Sequence, residues 1–404
     1  MRVCVLGAGI VGLATAYELM LDGHDVTLVD QALPGAGASG QNGAQLSYSY
    51  VQPLADPAIW RQLPKLLFSP SSPLKIRPKL DTDQWRWACE FLLACRATKS
   101  IATTEHLLSL ACASRMRFEE MLERERIECD FSPSGKLVLY RTDDSFGAGR
   151  RQMELQRRMS GVEQLALSAE EVFAIEPILR QSRDRIAGAI YTPSECAADC
   201  QKVCTGMFNV MRQRGVKFHL NTRVTGFEVR GTKVGAAQTE NGTVSADSFV
   251  VALGAASRSL AQKVGVRLPL YPMKGYSITV DIESPERAPR VSVTDYARKI
   301  VFARIGSRLR IAGMAELVGE DSSIPPDRVE ILKSATQAWF GGCSAFRETQ
   351  AWTGLRPATP TGEPIVGRLP GGPSNLLFNT GHGALGFTLA FGTAHQLAAE
   401  CQEA

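Results

Sequence analysis

The chain has 404 residues, 44% of them hydrophobic and 21% charged, with a formal net charge of +4. That length exceeds one ordinary domain and predicts two, or one with a large insertion. So small a charge gives no global case for nucleic-acid binding, and no stretch reaches the ~18 apolar residues needed to span a bilayer.

Val3 to Leu6 predict a buried parallel strand, Ile10 to Leu21 a helix stopped by Gly23, and Asp25 to Val29 a second strand. Between the first two lies Gly7-Ala8-Gly9-Ile10-Val11-Gly12, the glycine spacing of a dinucleotide-binding βαβ unit. Gly7 permits the tight turn, Gly9 lets the backbone approach a pyrophosphate over the helix N-terminus, and Gly12 lets helix and strand pack closely. Asp30, with Gln31 beside it, ends the second strand where a carboxylate holds a ribose diol. A signal peptide is the rival, because Arg2 precedes an apolar stretch ending in Ala14-Thr15-Ala16. Such a segment has no need of three glycines, and Tyr17-Glu18 continue the helix. Ten cysteines without a convincing secretion signal predict reduced thiols in a cytoplasmic protein.

A small-residue loop follows, from Pro34 through Ser39, Gln41, Asn42, Gly43 and Ala44 to Gln45, and it suits close contact with a ligand. Leu46 to Val51 alternates like a short strand. The hydroxyls of Tyr48 and Tyr50 are candidates to orient or cover a substrate, with packing as the alternative and the stronger one for Tyr48. Residues 60 to 80 mix Trp60, Leu63, Leu66, Leu67 and Phe68 with Arg61, Lys65, Lys75, Arg77 and Lys79. Such a basic, apolar patch either packs as a cationic loop or docks on an anionic membrane surface.

From 83 to about 122 the apolar spacing is helical; Gly135 to Tyr140 predict a strand, 147 to 160 a helix, and Gly188 to Thr192 a strand. A helix over 197 to 214 follows Cys196 and carries Cys200 and Cys204, the three at i, i+4 and i+8. Metal or iron–sulfur binding is the sharper reading, but no C-x-x-C accompanies them and structural zinc takes four ligands, so core packing is preferred. Strands are then expected over Val216 to Leu220, from Val224 to Val229 returning to Thr239, and from Ser248 into Gly254. Residues 266 to 315 read as an antiparallel sheet that includes Lys274-Gly275-Tyr276, and Val329 to Trp339 as a helix. After Trp352-Thr-Gly-Leu-Arg356 comes a strand at Leu376 to Asn379. Gly381-His382-Gly383-Ala384-Leu385-Gly386 then opens a final helix to about Gln402.

This second glycine element puts another helix N-terminus, with its positive dipole end, toward the ligand. A diphosphate uses the first helix, and a cofactor ring that gains negative charge on reduction uses the second. Nicotinamide gains no such charge and a flavin does, so FAD is favoured over NAD. Arg356, between Leu355 and Pro357, is suited to bidentate capture of a carboxylate, unless it pairs with a local acid such as Glu363. His382, Lys274 and Tyr276 are candidate flavin or substrate neighbours. No G-x-S-x-G, H-E-x-x-H or P-loop is present.

Taken with Asp199-Cys-Gln201, Tyr271-Pro-Met-Lys-Gly-Tyr-Ser277, Ile311 to Gly319 and Gly354-Leu-Arg-Pro357, these motifs resemble the FAD-dependent amine oxidoreductases, the family of glycine oxidase and bacterial D-amino-acid dehydrogenase. The resemblance implies noncovalent FAD, Asp30 on the adenosine ribose, Val224 near the adenine, Arg356 on the substrate carboxylate and Tyr50 covering the substrate. It implies oxidative deamination of D-amino acids to 2-oxo acids and ammonia by hydride transfer to flavin N5, with electrons passed to a quinone-type acceptor. An enzyme for glycine, sarcosine or D-hydroxyproline, a flavin subunit of a larger electron-transfer complex, and an NAD-binding regulatory module are the alternatives. The expected fold is α/β: a discontinuous Rossmann-like FAD-binding domain (1–82, 190–265 and 350–404) under an α+β substrate domain of helices and antiparallel sheet (83–189 and 266–349).

Overall fold

A computed structural model describes residues 1–60 and 74–402; most of the basic, apolar segment, from Arg61 on, lies outside the described residues. The opening unit forms as its sequence predicts: β1 (Arg2–Leu6), α1 (Ile10–Leu21) and β2 (Asp25–Val29), with Val3 beside Val26 in parallel register. Beyond Arg2, β1 is buried on both faces, which is why its apolar run is unbroken. By contrast β3 is only Gln45–Leu46. The expected strand stops there because the next amides leave the ladder: Ser47 N donates to Thr388 Oγ1 (3.3 Å) and Ser49 N to Glu195 Oε1 (2.7 Å).

The short β4 (Leu74–Ile76) precedes α2 (Thr82–Ala94), capped by Asp81, and α3 (Ala97–Glu125), so the helical run breaks at Cys95–Arg96. Then come β5 (Lys136–Tyr140), α4 (Asp143–Ser160), β6 (Leu165–Leu167), α5 (Ala169–Ile175), β7 (Gly188–Thr192), β8 (Cys196–Ala197) and α6 (Cys200–Gln213). Cys196 is therefore on a strand, because Asp199 caps α6, accepting from Gln201 N at 2.9 Å and Lys202 N at 3.3 Å. Cys196, Cys200 and Cys204 are buried free thiols in the core, and among the described residues no group of side chains is arranged to hold a metal.

Next are β9 (Lys217–His219), β10 (Val224–Arg230), β11 (Lys233–Thr239), β12 (Gly242–Ser245), β13 (Ser248–Val251) and α7 (Ser257–Gln262). The chain continues through β14 (Tyr271–Asp281), β15 (Ser292–Asp295), β16 (Ile300–Ile305), β17 (Arg308–Leu317) and α8 (Pro326–Phe340). It closes with β18 (Gln350–Ala358), β19 (Ile365–Arg368), β20 (Leu376–Thr380) and α9 (Gly386–Gln402).

One sheet has the order β19-β20-β13-β1-β2-β9 and is parallel except at the β19 edge, while β10-β11-β12 form a small antiparallel sheet. The large sheet runs β18-β14-β17-β16-β15-β5-β7-β6, with β4 on β17. It is mostly antiparallel, but β15 and β5 pair in parallel, as do β17 and β4. Two placements differ from the sequence expectation. β18, placed there with the nucleotide-binding part, pairs along its length with β14 (Tyr271 opposite Ala358 through Thr279 opposite Gln350) and so belongs to the large sheet. α3, expected in the substrate part, buries Leu107, Leu110, Ala111 and Phe118 in the core built around α1 and α9. A second core lies between the large sheet and α8, where Leu332, Ala335, Trp339 and Phe340 meet Ile278, Val280 and Phe302.

Candidate functional site

The first glycine element leaves no room for side chains. A Cβ on Gly7 would fall on the Ala252 carbonyl and one on Gly12 on the Gly7 carbonyl, while Gly7 itself takes φ 117. Helix α1 thus starts against the sheet, and its N-cap, Gly9, offers no side chain over the first turn. Ser39 supplies one from the following loop, its Oγ accepting from Ile10 N at 2.9 Å. Asp30 closes the same corner: Oδ2 accepts from Ala8 N (2.6 Å) and Oδ1 from Ala32 N (2.8 Å). Each of its oxygens keeps a free lone pair for a hydroxyl. Burial pushes the Asp30 pKa up and the two amides pull it back. Thr222 N donates to Asp30 O at 2.8 Å, which brings Val224, at the head of β10, to this end of the sheet, and Gln31 is exposed.

The small-residue loop then crosses one face of the large sheet. Ser277 Oγ donates to Gln41 O (2.8 Å), the buried Arg310 donates to Asn42 O (2.9 Å), and Gln45 Nε2 donates to Phe302 O (3.1 Å). Gly43 lies against Val301 and Ala312, and Asn42 Oδ1 accepts from Ala44 N (2.8 Å), holding Ala44 at φ 57. Leu46 is fully buried in the core around α1 and α9.

On this face β14 and β18 pair Gly275 with Gly354, and each glycine is roofed by a side chain of β18. A Cβ on Gly354 would strike the Trp352 ring, and one on Gly275 the Arg356 guanidinium. Arg356 reaches past β14 and donates through Nη1 to Met314 O on β17 at 2.9 Å. Glu363, the acid suspected as its partner, instead accepts from Thr103 Oγ1 (2.6 Å) and lies 3.6 Å from Lys99 Nζ. No ion pair to Arg356 is found among the described residues, and burial pulls its pKa down to about 10. A desolvated guanidinium of this kind is stabilised by a carboxylate brought to it.

The second glycine element adjoins it. Ala358 bridges His382, and β18 also meets the turns at Gly254–Ala256 and Gly383–Leu385. Gly381 (φ 84) is packed close to Thr359, where a Cβ would come within 2.8 Å, whereas Gly254 and Gly383 face open space at positive φ. Ala384, Leu385 and Gly386 complete the turn into α9.

Other sequence candidates are placed elsewhere. Lys274 and Tyr276 flank Gly275 and so project from the opposite face, toward α8: Tyr276 Oη donates to Glu316 Oε2 (2.7 Å), and Lys274 Nζ lies 3.3 Å from Asp321. Tyr48 is in the core, its ring 5.9 Å from the Arg115 guanidinium carbon. His382 is buried, bonded to Thr393 Oγ1 at 2.9 Å, and burial pulls its pKa down to about 3. Tyr50 covers Lys136, whose Nζ sits 4.4 Å from the ring centroid, and packs near Val138 and Tyr140. The sheet order puts four strands between β5 and β18. Trp352 is the residue that sequence reasoning passed over; at two and four positions from Gly354 and Arg356, strand alternation alone puts it on their face.

A glycine-paved helix N-terminus, a carboxylate at the end of β2, a second open glycine turn and a half-buried cation beside that turn together fit an extended dinucleotide carrying a flavin ring. The fold and site define a flavin-dependent oxidoreductase. The chain belongs to the DAO family, described as FAD dependent oxidoreductase, whose model matches residues 2–400. It is 44% identical to D-amino acid dehydrogenase 2 of Ralstonia nicotianae, over 98% of this chain and 96% of that protein. It is 43% identical to D-amino acid dehydrogenase 2 of Pseudomonas aeruginosa, over 98% and 94%. The fold is also that of glycine oxidase from Geobacillus kaustophilus (TM-score 0.77, 20% identity, covering 100% of this chain and 95% of that one). L-Proline dehydrogenase from P. horikoshii shares it too (TM-score 0.77, 17% identity, 100% and 93%). Among the described residues no helix is long and apolar enough to cross a membrane.

Proposed function

We propose that the chain oxidises D-amino acids to 2-oxo acids and ammonia and passes the electrons to a quinone-type acceptor. The observation that carries this is Arg356, a desolvated guanidinium with no ion-pair partner among the described residues, beside the second glycine turn. The relatives named D-amino acid dehydrogenase supply the substrate class.

When bound, FAD supplies the hydride acceptor. Gly7, Ala8, Gly9, Ile10, Val11 and Gly12 would take its diphosphate, Asp30 its ribose, and the Gly381 to Gly386 turn its pyrimidine end. Arg356 takes the substrate carboxylate in a fork held by Met314 O, so the Cα–H is oriented by a fixed cation rather than by a mobile one. Trp352 lies over Gly354 on the same face of the sheet. His382 is neutral, buried and committed to Thr393, so it positions the turn and moves no proton. An amine that enters neutral needs no side-chain base. Tyr50, over Lys136 and with four strands between that residue's strand and the one carrying Arg356, anchors the end of the loop that crosses the sheet. A quinone acceptor would bring the enzyme to a membrane surface, for which the basic segment 60–80 is the candidate contact.

The test is anaerobic flavin bleaching of the purified chain with D- and L-amino acids, glycine, sarcosine and hydroxyproline isomers. Bleaching by D-amino acids, with dye- or quinone-coupled turnover and no peroxide in air, is expected. Bleaching confined to L-amino acids, glycine or imino acids overturns the substrate, and peroxide at the full rate overturns the acceptor.

A further inference from the structure

Behind the paired glycines, the large sheet carries a polar cluster that the reaction does not use. Along β14 and β17, Lys274 lies opposite Glu316 and Tyr276 opposite Gly313. Two steps on β14 therefore face three on β17, which is a β-bulge, and its extra residue falls at Met314–Ala315 opposite Gly275. Met314 has φ 64, the left-handed region that bulges of this kind usually give to glycine. Its carbonyl is the one that accepts from Arg356.

A side chain stays in such backbone only where its surroundings over-determine it. Here they do so from the rear. Tyr276 Oη donates to Glu316 Oε2 at 2.7 Å, a bond that crosses the bulge diagonally, since the residue directly opposite Tyr276 is Gly313 and the one opposite Glu316 is Lys274. Arg328 of α8 forms an ion pair with the other carboxylate oxygen, Nε 2.7 Å from Glu316 Oε1 but out of hydrogen-bond alignment. Tyr276, Glu316 and Arg328 are all buried, so both contacts are shielded from solvent.

We propose that Tyr276, Glu316 and Arg328 are positioning residues for carboxylate recognition: they clamp the bulge from behind, and so fix the direction in which Met314 O aims the Arg356 guanidinium. This rests on Arg356 being the carboxylate-binding group. The charge-bearing face and its brace lie on opposite sides of one sheet, so the brace acts on the substrate through Arg356 alone.

The probe is benzoate, a carboxylate without an amine, titrated into the FAD-loaded full chain and read by the flavin spectrum, alongside steady-state kinetics. Tyr276→Phe is expected to raise the benzoate Kd and the amino-acid KM by the same factor, about five- to tenfold, with kcat within about twofold and FAD content unchanged. In an Arg356→Lys background the same substitution is expected to add nothing. Met314→Gly, which takes positive φ freely, is expected to restore most of the affinity lost in Tyr276→Phe. An unchanged Kd in Tyr276→Phe while Arg356→Lys binds weakly overturns the brace, as does an equal loss in both backgrounds or no recovery with Met314→Gly. An unchanged Kd in Arg356→Lys itself overturns the reading of Arg356 and the brace with it. Should Tyr276→Phe not fold with FAD, Arg328→Lys is read in the same titration: weaker benzoate binding supports the brace, and wild-type binding overturns it.

Discussion

Gly275 and Arg356 share one place on the large sheet: the guanidinium lies where a Cβ of residue 275 would project, one strand away from the backbone that carries it. The absence of a side chain at 275 is what lets the cation cross β14 to Met314. Gly275→Ala is expected to displace the guanidinium and weaken amino-acid and benzoate binding by tenfold or more, a loss of about 1.4 kcal/mol, with FAD retained. A benzoate titration against the flavin spectrum checks this.

At the other end of the cofactor path, Gly12 touches Gly7 backbone to backbone, so relief of a clash requires helix α1 to move off the sheet. Gly12→Ala is expected to cost about 1–3 kcal/mol in stability and to yield protein with little flavin. The measurement is the flavin-to-protein absorbance ratio together with the thermal midpoint; a fully yellow, equally stable variant would show the contact to be unimportant.

His382 gives a pH signature. Burial lowers its pKa to about 3 from the ordinary 6.5, so below about pH 6.5 the unfolded chain binds a proton that the folded chain refuses. Its contribution to stability is full above that pH and is lost as pH falls toward 3, by about 1.4 kcal/mol per unit. His382→Gln keeps a hydrogen-bonding group for Thr393 and is expected to flatten the fall in melting temperature between pH 6.5 and 4.

Lys136 and Glu195 are each almost wholly buried, and Lys136 Nζ donates to Ser47 Oγ at 2.7 Å while Glu195 accepts from Ser49 N at 2.7 Å. Together they pin the segment that ends in Tyr50. Lys136→Ala leaves Glu195 as an uncompensated buried carboxylate and is expected to cost about 3–5 kcal/mol, whereas Lys136→Met combined with Glu195→Gln recovers much of it. Urea midpoints of the single and double variants measure the coupling.

Much of this site was legible in the chain itself. The β1–α1–β2 unit declares its nucleotide end through glycines whose role is local, a turn at Gly7 and a close approach at Gly12. Arg356, set between Leu355 and Pro357, was identifiable as a candidate carboxylate-binding cation, with Glu363 as a rival partner that the structure instead gives to Thr103 and Lys99. What was not legible was phase. Lys274 and Tyr276 are as close in sequence to Gly275 as any residues can be, yet they face α8, because alternation assigns neighbours to opposite faces and only the packing of α8 and the crossing loop decides which face is which. The spacing of Cys196, Cys200 and Cys204 suggested one helical face, but Asp199 caps α6 so that it starts at Cys200, three residues later than expected, and leaves Cys196 on a strand. β18 carried too little apolar pattern to be read as a strand, with Gly354 and Pro357 inside it; its partner β14 supplies the hydrogen bonds that make it one.

The sequence by itself determined the nucleotide-binding unit, the second glycine turn and the kinds of side chain that chemistry with a carboxylate substrate requires, because these depend on backbone freedom and charge within a few residues. Tertiary structure alone decided that Arg356 lies over Gly275, that Met314 aims it from a strained bulge, and that Tyr48 and His382 serve the core. Those outcomes follow from register and sheet order, which are set by burial summed over segments far apart in the chain.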